Sequence, residues 1–192
     1  MAPRDGPRLA DKAFATAIAL HERMRASLGS TLLAAGAISE ALKAGKKLLV
    51  FGNGGSASDA QHMSAELVGR FQRERAAMAA IALTTDSSIL TSIANDYSFK
   101  QVFARQVEAL GQPGDVAFGI STSGESPNVV LALQVAKGRG LKTIALTGRD
   151  GGSVGRAADI HVNVPDQSTA RVQEVHRTLI HVLCELIEEE SL

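Results

Sequence analysis

Residues 115–128 read DVAFGISTSGESPN, an apolar run of strand length followed at once by hydroxyls, a glycine and a proline. Val116, Ala117, Phe118 and Ile120 have the composition of a buried strand, while Ser121, Thr122, Ser123, Gly124 and Ser126 stand where a helix should begin. A helix start attracts anions, because its first N–H groups lack partners and the macrodipole leaves partial positive charge there. Four hydroxyls add donors and Gly124 lets the backbone approach closely, so the loop reads as a phosphate cradle that needs no lysine. The plainer alternative is a polar turn with Ser126 as N-cap and Pro127 as the first helical residue.

The same strand–loop–helix order occurs earlier. Residues 47–51 (KLLVF) form a short apolar strand, and GNGGSASDA follows, where Gly52, Gly54 and Gly55 permit tight turns before a helix. Neither the GxGxxG spacing nor a Gly-Lys-Ser/Thr triplet is present, which argues against a nucleotide cofactor. A turn that merely lets strand and helix pack closely is the alternative here. The next helix, about residues 59–68, sets His62 and Glu66 four residues apart on one face, a spacing that suits a metal or an acid/base pair and equally an exposed polar pair. Arg70 is as easily a surface residue.

The other segments extend this alternation. Residues 80–83 (AIAL) read as a strand, and residues 84–96 as a polar turn, a short apolar helical turn and another loop. Phe99, Val102, Phe103, Gln106 and Leu110 mark a helix ending at Gly111. Val129, Leu133 and Ala136 stripe a helix closed by Gly138 and Gly140, residues 142–146 (KTIAL) are a strand, and residues 159–164 (DIHVNV) a last strand with His161 facing outward. The final helix, about residues 169–190, carries Gln173, His176 and His181; at roughly 100° per residue Gln173 and His181 lie about 80° apart, His176 and His181 about 140° apart. His176 and His181 therefore do not readily serve one site, and the sequence leaves open which of them points inward. Ahead of the strands, Ala13, Ala17, Leu20, Met24 and Leu28 stripe one amphipathic helix, and Leu33, Ala37 and Ala41 a second, capped by Ser30 and ended by Gly45.

Five apolar strands alternating with helices, without a hairpin signal, imply an α/β fold: a five-stranded parallel sheet covered on both faces, with ligands at the carboxyl ends of the strands. At 192 residues and 45% hydrophobic content the chain suits one domain, residues 1–192, with N-terminal helices over about 1–45 and an α/β core over about 46–192. Twenty basic and twenty acidic side chains cancel, and no basic run interleaved with aromatics appears, so nucleic acid is not an expected partner. Cys184 is the lone cysteine and reads as a core residue, which fits a reducing cytoplasm. Arg4 and Arg8 precede apolar residues, but Asp11, Lys12, His21 and Glu22 interrupt any signal-peptide core, and no segment reads as membrane-spanning.

GNGGSASDAQHMSAEL, ALTTDSSILTSIANDYSF, GDVAFGISTSGESPN, ALTGRDGG and ARVQEVHRTLIH together resemble the sugar isomerase (SIS) family, and within it the branch that isomerises phosphoheptoses. The resemblance covers nearly the whole chain, only the N-terminal helices carrying no motif. It implies a flavodoxin-like three-layer sandwich and the interconversion of sedoheptulose 7-phosphate with D-glycero-D-manno-heptose 7-phosphate for lipopolysaccharide or another surface glycan. It implies substrate contacts from Asn53, Gly54, Gly55, Ser56, Glu66, Asn95, Asp96, Ser121, Thr122, Ser123, Ser126 and Gln173. It implies one zinc ion per subunit held by His62, Glu66, Gln173 and His181, with Glu66 and His181 as the catalytic acid/base pair.

The resembled family assembles as homotetramers, and the two N-terminal helices offer more apolar stripe than a small sheet should cover. Glu125, where relatives often carry a neutral or basic residue, should turn to solvent, since a carboxylate aimed at phosphate would repel it. Related SIS proteins that bind a replication-initiator protein are the competing reading, and they typically lack the equivalents of Glu66 and His181. A sugar-phosphate-sensing or amino-sugar isomerase domain, usually fused to another domain, is a further alternative.

Overall fold

The computed structural model describes residues 5–190; Arg4, used above in reading the N-terminus, lies outside them. Eight helices and five strands follow in the order α1 (Gly6–Arg25), α2 (Gly29–Lys43), β1 (Leu48–Gly52), α3 (Gly55–Val68), β2 (Ala80–Ala82), α4 (Ser87–Asp96), α5 (Ala104–Leu110), β3 (Val116–Ser121), α6 (Pro127–Gly138), β4 (Lys142–Gly148), α7 (Gly152–Ala157), β5 (Ile160–Val164) and α8 (Thr169–Glu189). The strands form one parallel sheet in the order β2-β1-β3-β4-β5.

Strand periodicity sorts the core into two layers. Leu48, Val50, Phe118, Ile120, Ile144 and Leu146 face α1, α2, α3 and α8, whereas Leu49, Phe51, Ala117 and Ala145 face α5, α6 and α7. Each fully buried Phe or Leu here contributes about 1.5–3 kcal/mol. Strand order reverses between β1 and β3, and in open parallel sheets a ligand crevice forms at that point, outside the carboxyl ends. The glycine loop after β1 and the serine loop after β3 both open there.

Four local readings need correction. Within residues 84–96 the polar turn is present and caps a helix, Asp86 Oδ1 accepting the Ile89 N–H at 2.9 Å, but the loop expected after the apolar turn is the rest of α4, which runs to Asp96. The helix expected from Phe99 to Leu110 is split into a 3-10 turn at Phe99–Gln101 and α5. In α2 the buried face is Thr31, Ala34, Ala35, Ile38 and Ser39, with Leu33 65% exposed and Leu28, not Ser30, at the N-cap. His161 does not face outward: α7, a helix hidden in the glycine-rich GGSVGRA, covers that side of β5, and the ring bonds to Thr147 Oγ1 at 2.6 Å.

Candidate active site

Two helix starts meet at the crevice. Glycine at position 52 is enforced by packing, since a Cβ there would fall 2.8 Å from both Ile120 O and the Ser56 side chain. Gly54, at φ +55°, turns the chain into α3, which begins with no side chain capping its first N–H groups. Across the crevice Ser126 occupies the N-cap position of α6, but its hydroxyl bonds to Ser121 Oγ at 2.9 Å instead of to a helix N–H. Ser123 Oγ lies 3.3 Å from Ser121 Oγ and accepts the Glu125 N–H. Three hydroxyls thus converge at a helix start whose N-cap side chain is turned to the loop rather than to a helix N–H, and Thr122 is half-buried in the same loop.

The two starts are clasped by a reciprocal amide pair. Asn53 Nδ2 donates to Asn128 Oδ1 at 2.9 Å, and Asn128 Nδ2 donates back to Asn53 Oδ1 at 2.8 Å. Glu125 is exposed and turned out of the cradle, its carboxylate accepting the Ser153 N–H at 3.0 Å.

α3 and α8 run side by side in the same direction and form a ladder. The Gln173 amide lies against Gly55, where any Cβ would run into it; Arg177 Nη2 lies 2.6 Å from Asp59 Oδ1; and His62 Nε2 lies 2.7 Å from His181 Nε2, the rings edge to face. Glu66 Oε1 is 3.5 Å from His62 Nε2. His62, Glu66 and His181 therefore come together, while Gln173 meets the first turn of α3, about 10 Å back along the axis at 1.5 Å per residue. Asn95 and Asp96 lie exposed at the end of α4, where Asn95 Nδ2 donates to Asp96 Oδ1. His176 is the inward histidine: fully buried, it donates from Nε2 to Thr147 O at 2.9 Å and leaves Nδ1 without a partner.

Electrostatics follow from these positions. Burial, then the Arg177 charge, holds His62 below the ordinary imidazole value, against the opposing pull of Glu66. Asp59 is raised by burial despite its pairing with Arg177. Burial pushes His176 down to about 4 and Cys184 up to about 12, so the first stays neutral and the second inert at pH 7. Asp59, Arg177 and Asn128 escaped the sequence reading, although Asp59 and Arg177 share helix faces with His62 and His181 at three- and four-residue spacing.

Zinc fits the chemistry of this donor set better than its present geometry. Two imidazole nitrogens and a carboxylate are among its usual ligand types, but the Gln173 amide, an unusual one, lies back at Gly55, and two nitrogens on one tetrahedral zinc stand about 3.3 Å apart, so the rings would part by roughly half an ångström. Among the described residues, no three His, Cys, Asp or Glu side chains already surround one point as a metal site.

The SIS domain family matches residues 14–148 of the chain. The chain belongs to the SIS domain family. It is 56% identical over 174 residues to the phosphoheptose isomerase of Geotalea daltonii, an alignment covering 88% of this chain and 91% of that one. It is 61% identical over 155 residues to the phosphoheptose isomerase of Aquifex aeolicus, covering 81% of each. The phosphoheptose isomerase structure from Neisseria gonorrhoeae superposes with a TM-score of 0.90 at 45% identity, over 95% of this chain and 98% of that one. These relatives place this SIS chain among isomerases rather than among binding modules.

Proposed function

We propose that the chain interconverts sedoheptulose 7-phosphate and D-glycero-D-manno-heptose 7-phosphate, as a step toward lipopolysaccharide or another surface glycan. That it is an isomerase acting on a phosphoheptose rests on its relatives; sedoheptulose 7-phosphate is the ketose that the family resemblance implies. One observation in the molecule carries the reading: a hydroxyl-rich pair of helix starts and a His62–Glu66–His181 cluster lie about 10 Å apart along α3, a span a linear sugar phosphate can bridge.

The phosphate binds at Ser121, Thr122, Ser123 and Ser126 and the α6 N-terminus, with Asn53, Gly54, Gly55 and Ser56 closing the other side. Each charge-assisted hydrogen bond there contributes about 1.5–3 kcal/mol. Gln173, Asn95 and Asp96 hold sugar hydroxyls. Glu66 removes the carbon-bound proton and returns it to the neighbouring carbon, and His181 moves the proton between the two oxygens. Of the four expected ligands, His62, Glu66 and His181 would hold a zinc ion, which would supply positive charge beside the reacting oxygens, while Gln173, set against Gly55, stays with the sugar hydroxyls. Elemental analysis should find about one zinc per chain in the wild type and a deficit in His62→Ala; a metal-free wild type with full activity would remove zinc from this reading.

A homotetramer completes the proposal. Leu9, Phe14 and Ile18 on α1 and Leu32 and Leu33 on α2 are all more than half exposed, an apolar surface suited to burial between subunits. A monodisperse monomer by light scattering would contradict it. No helix among the described residues is long and apolar enough to cross a membrane; a cytoplasmic setting suits the free, buried Cys184.

Incubating the pure protein with a panel of ketose phosphates tests the reaction directly. Sedoheptulose 7-phosphate should be converted fastest, and conversion of none of the panel would refute the reading. Ser123→Ala should raise KM and leave turnover nearly unchanged.

A further inference from the structure

His161 has no part in the chemistry above, yet its ring is enclosed by structure that leads to the cradle. Thr147 Oγ1 donates to Asn163 Oδ1 at 2.9 Å, so His161 Nε2 carries the proton that it shares with Thr147 Oγ1. Thr147 is the register partner of Ser121 in the sheet. The other side of the ring is closed by glycines: a Cβ at Gly155 would stand 2.5 Å from His161 Cε1 and 2.6 Å from Nε2, and one at Gly151 would also strike the ring.

That glycine turn is the support of Gly124. Gly124, at φ +72°, packs so closely on it that a Cβ would fall 2.6 Å from Gly151 O, and Val154 N–H donates to Gly124 O at 2.8 Å. Gly124 N–H in turn donates to Ser121 O at 3.1 Å. A single layer of backbone separates the imidazole from the loop that carries Ser121, Ser123 and Ser126.

We infer that His161 is a positioning residue for the phosphate cradle: wedged between β4 and the 151–155 turn, it sets where that turn meets Gly124 and hence where the hydroxyls converge. The inference rests on the phosphosugar reading of that loop. A Cβ at Gly155 cannot coexist with the ring in place, because both surfaces that confine the imidazole are main chain or are bonded to it.

The test is a cycle of His161→Ala, Gly155→Ala and the double variant, with Ser123→Ala in parallel and folding monitored by circular dichroism. Each single variant should raise both KM for sedoheptulose 7-phosphate and the inhibition constant of inorganic phosphate roughly five- to tenfold, with kcat held within about twofold, as expected for coupled neighbours. The double variant, whose new methyl fills space the ring has left, should recover to a KM below that of Gly155→Ala alone. A folded His161→Ala protein with wild-type KM, or a double variant no better than the worse single, would overturn the inference; if His161→Ala does not fold, the comparison of Gly155→Ala with the double variant decides. Should Ser123→Ala raise KM while His161→Ala does not, only the role of His161 falls. If Ser123→Ala is also without effect, the phosphate reading fails and takes the inference with it.

Discussion

Replacing Asn128 by Asp tests the clasp between the two loops with almost no change of shape. Asn128 is 3% exposed; its Oδ1 accepts from Asn53 Nδ2 and from the Val129 N–H at 3.0 Å, and its Nδ2 donates to Asn53 Oδ1. Asn128→Asp keeps the accepting oxygen but turns the donor into a second oxygen, which then opposes Asn53 Oδ1 with its hydrogen bond lost. A lost bond with a buried acceptor left unpaired costs about 1–3 kcal/mol. Burial raises the new carboxyl above its unfolded value near 3.9, so its charged form destabilises the fold above that pH. As pH falls the carboxyl protonates and can donate to Asn53 again, so the deficit relative to wild type shrinks. Urea denaturation should therefore show a loss of about 2–3 kcal/mol at pH 7.5 and a smaller one at pH 5. KM for phosphosugar should rise at least about tenfold at pH 7.5, because the new charge stands between the anion-binding helix starts. A stability loss under about 0.5 kcal/mol, or a gap that does not narrow with acid, would refute the clasp.

Other outcomes follow from buried charge. His176 stays neutral to about pH 4, while an unfolded histidine titrates near 6.5. Its contribution is thus fully present above pH 6.5 and is lost as pH falls toward 4, by about 3 kcal/mol in all; the difference in urea stability between wild type and His176→Gln should close over that window, and a pH-independent difference would count against it. Glu188, inside the core, accepts from the N–H groups of Phe71, Gln72 and Arg73 and from Arg75 Nε, and although burial would raise its carboxyl these donors hold it below the usual range. Arg75 also donates to Glu66 O and Leu67 O, fixing the end of α3. Glu188→Ala should cost about 3–5 kcal/mol, since it strands the Arg75 charge, and a loss below about 1 kcal/mol by chemical denaturation would show that residues 71–75, the segment it holds after α3, do not depend on it.

The sheet was legible because each strand holds a short stretch of apolar, β-prone residues, three of them closed by Gly52, Gly148 and Pro165, and all five strands lie where those stretches are. Local propensity failed where the signal was ambiguous or non-local. GGSVGRA hides α7 because glycines are poor helix formers, and Leu32, Leu33, Ala34, Ala35 and Ile38 surround so much of α2 that the stripe through Leu33, Ala37 and Ala41 was drawn to one side of the face that is buried. On β5 the two-residue period correctly sets His161 and Asn163 opposite Ile160, Val162 and Val164, but only the unseen α7 makes that face an interior one. At the site, spacing pairs His62 with Glu66, whereas their meeting with His181 depends on the packing of α8 on α3, 119 residues away along the chain. Asn128 gave no signal of its own, since its partner Asn53 lies 75 residues away.

The central claim is proton transfer by the His62–Glu66–His181 cluster, and solvent-deuterium exchange reads it most directly. Incubated with sedoheptulose 7-phosphate in deuterium oxide, the wild-type protein should place deuterium at the carbon adjoining the carbonyl as product forms. Glu66→Gln and His181→Gln should each remain folded and bind phosphosugar while exchanging roughly 10²–10⁴-fold more slowly, the usual worth of general acid–base catalysis. Near-wild-type exchange in Glu66→Gln would contradict the account.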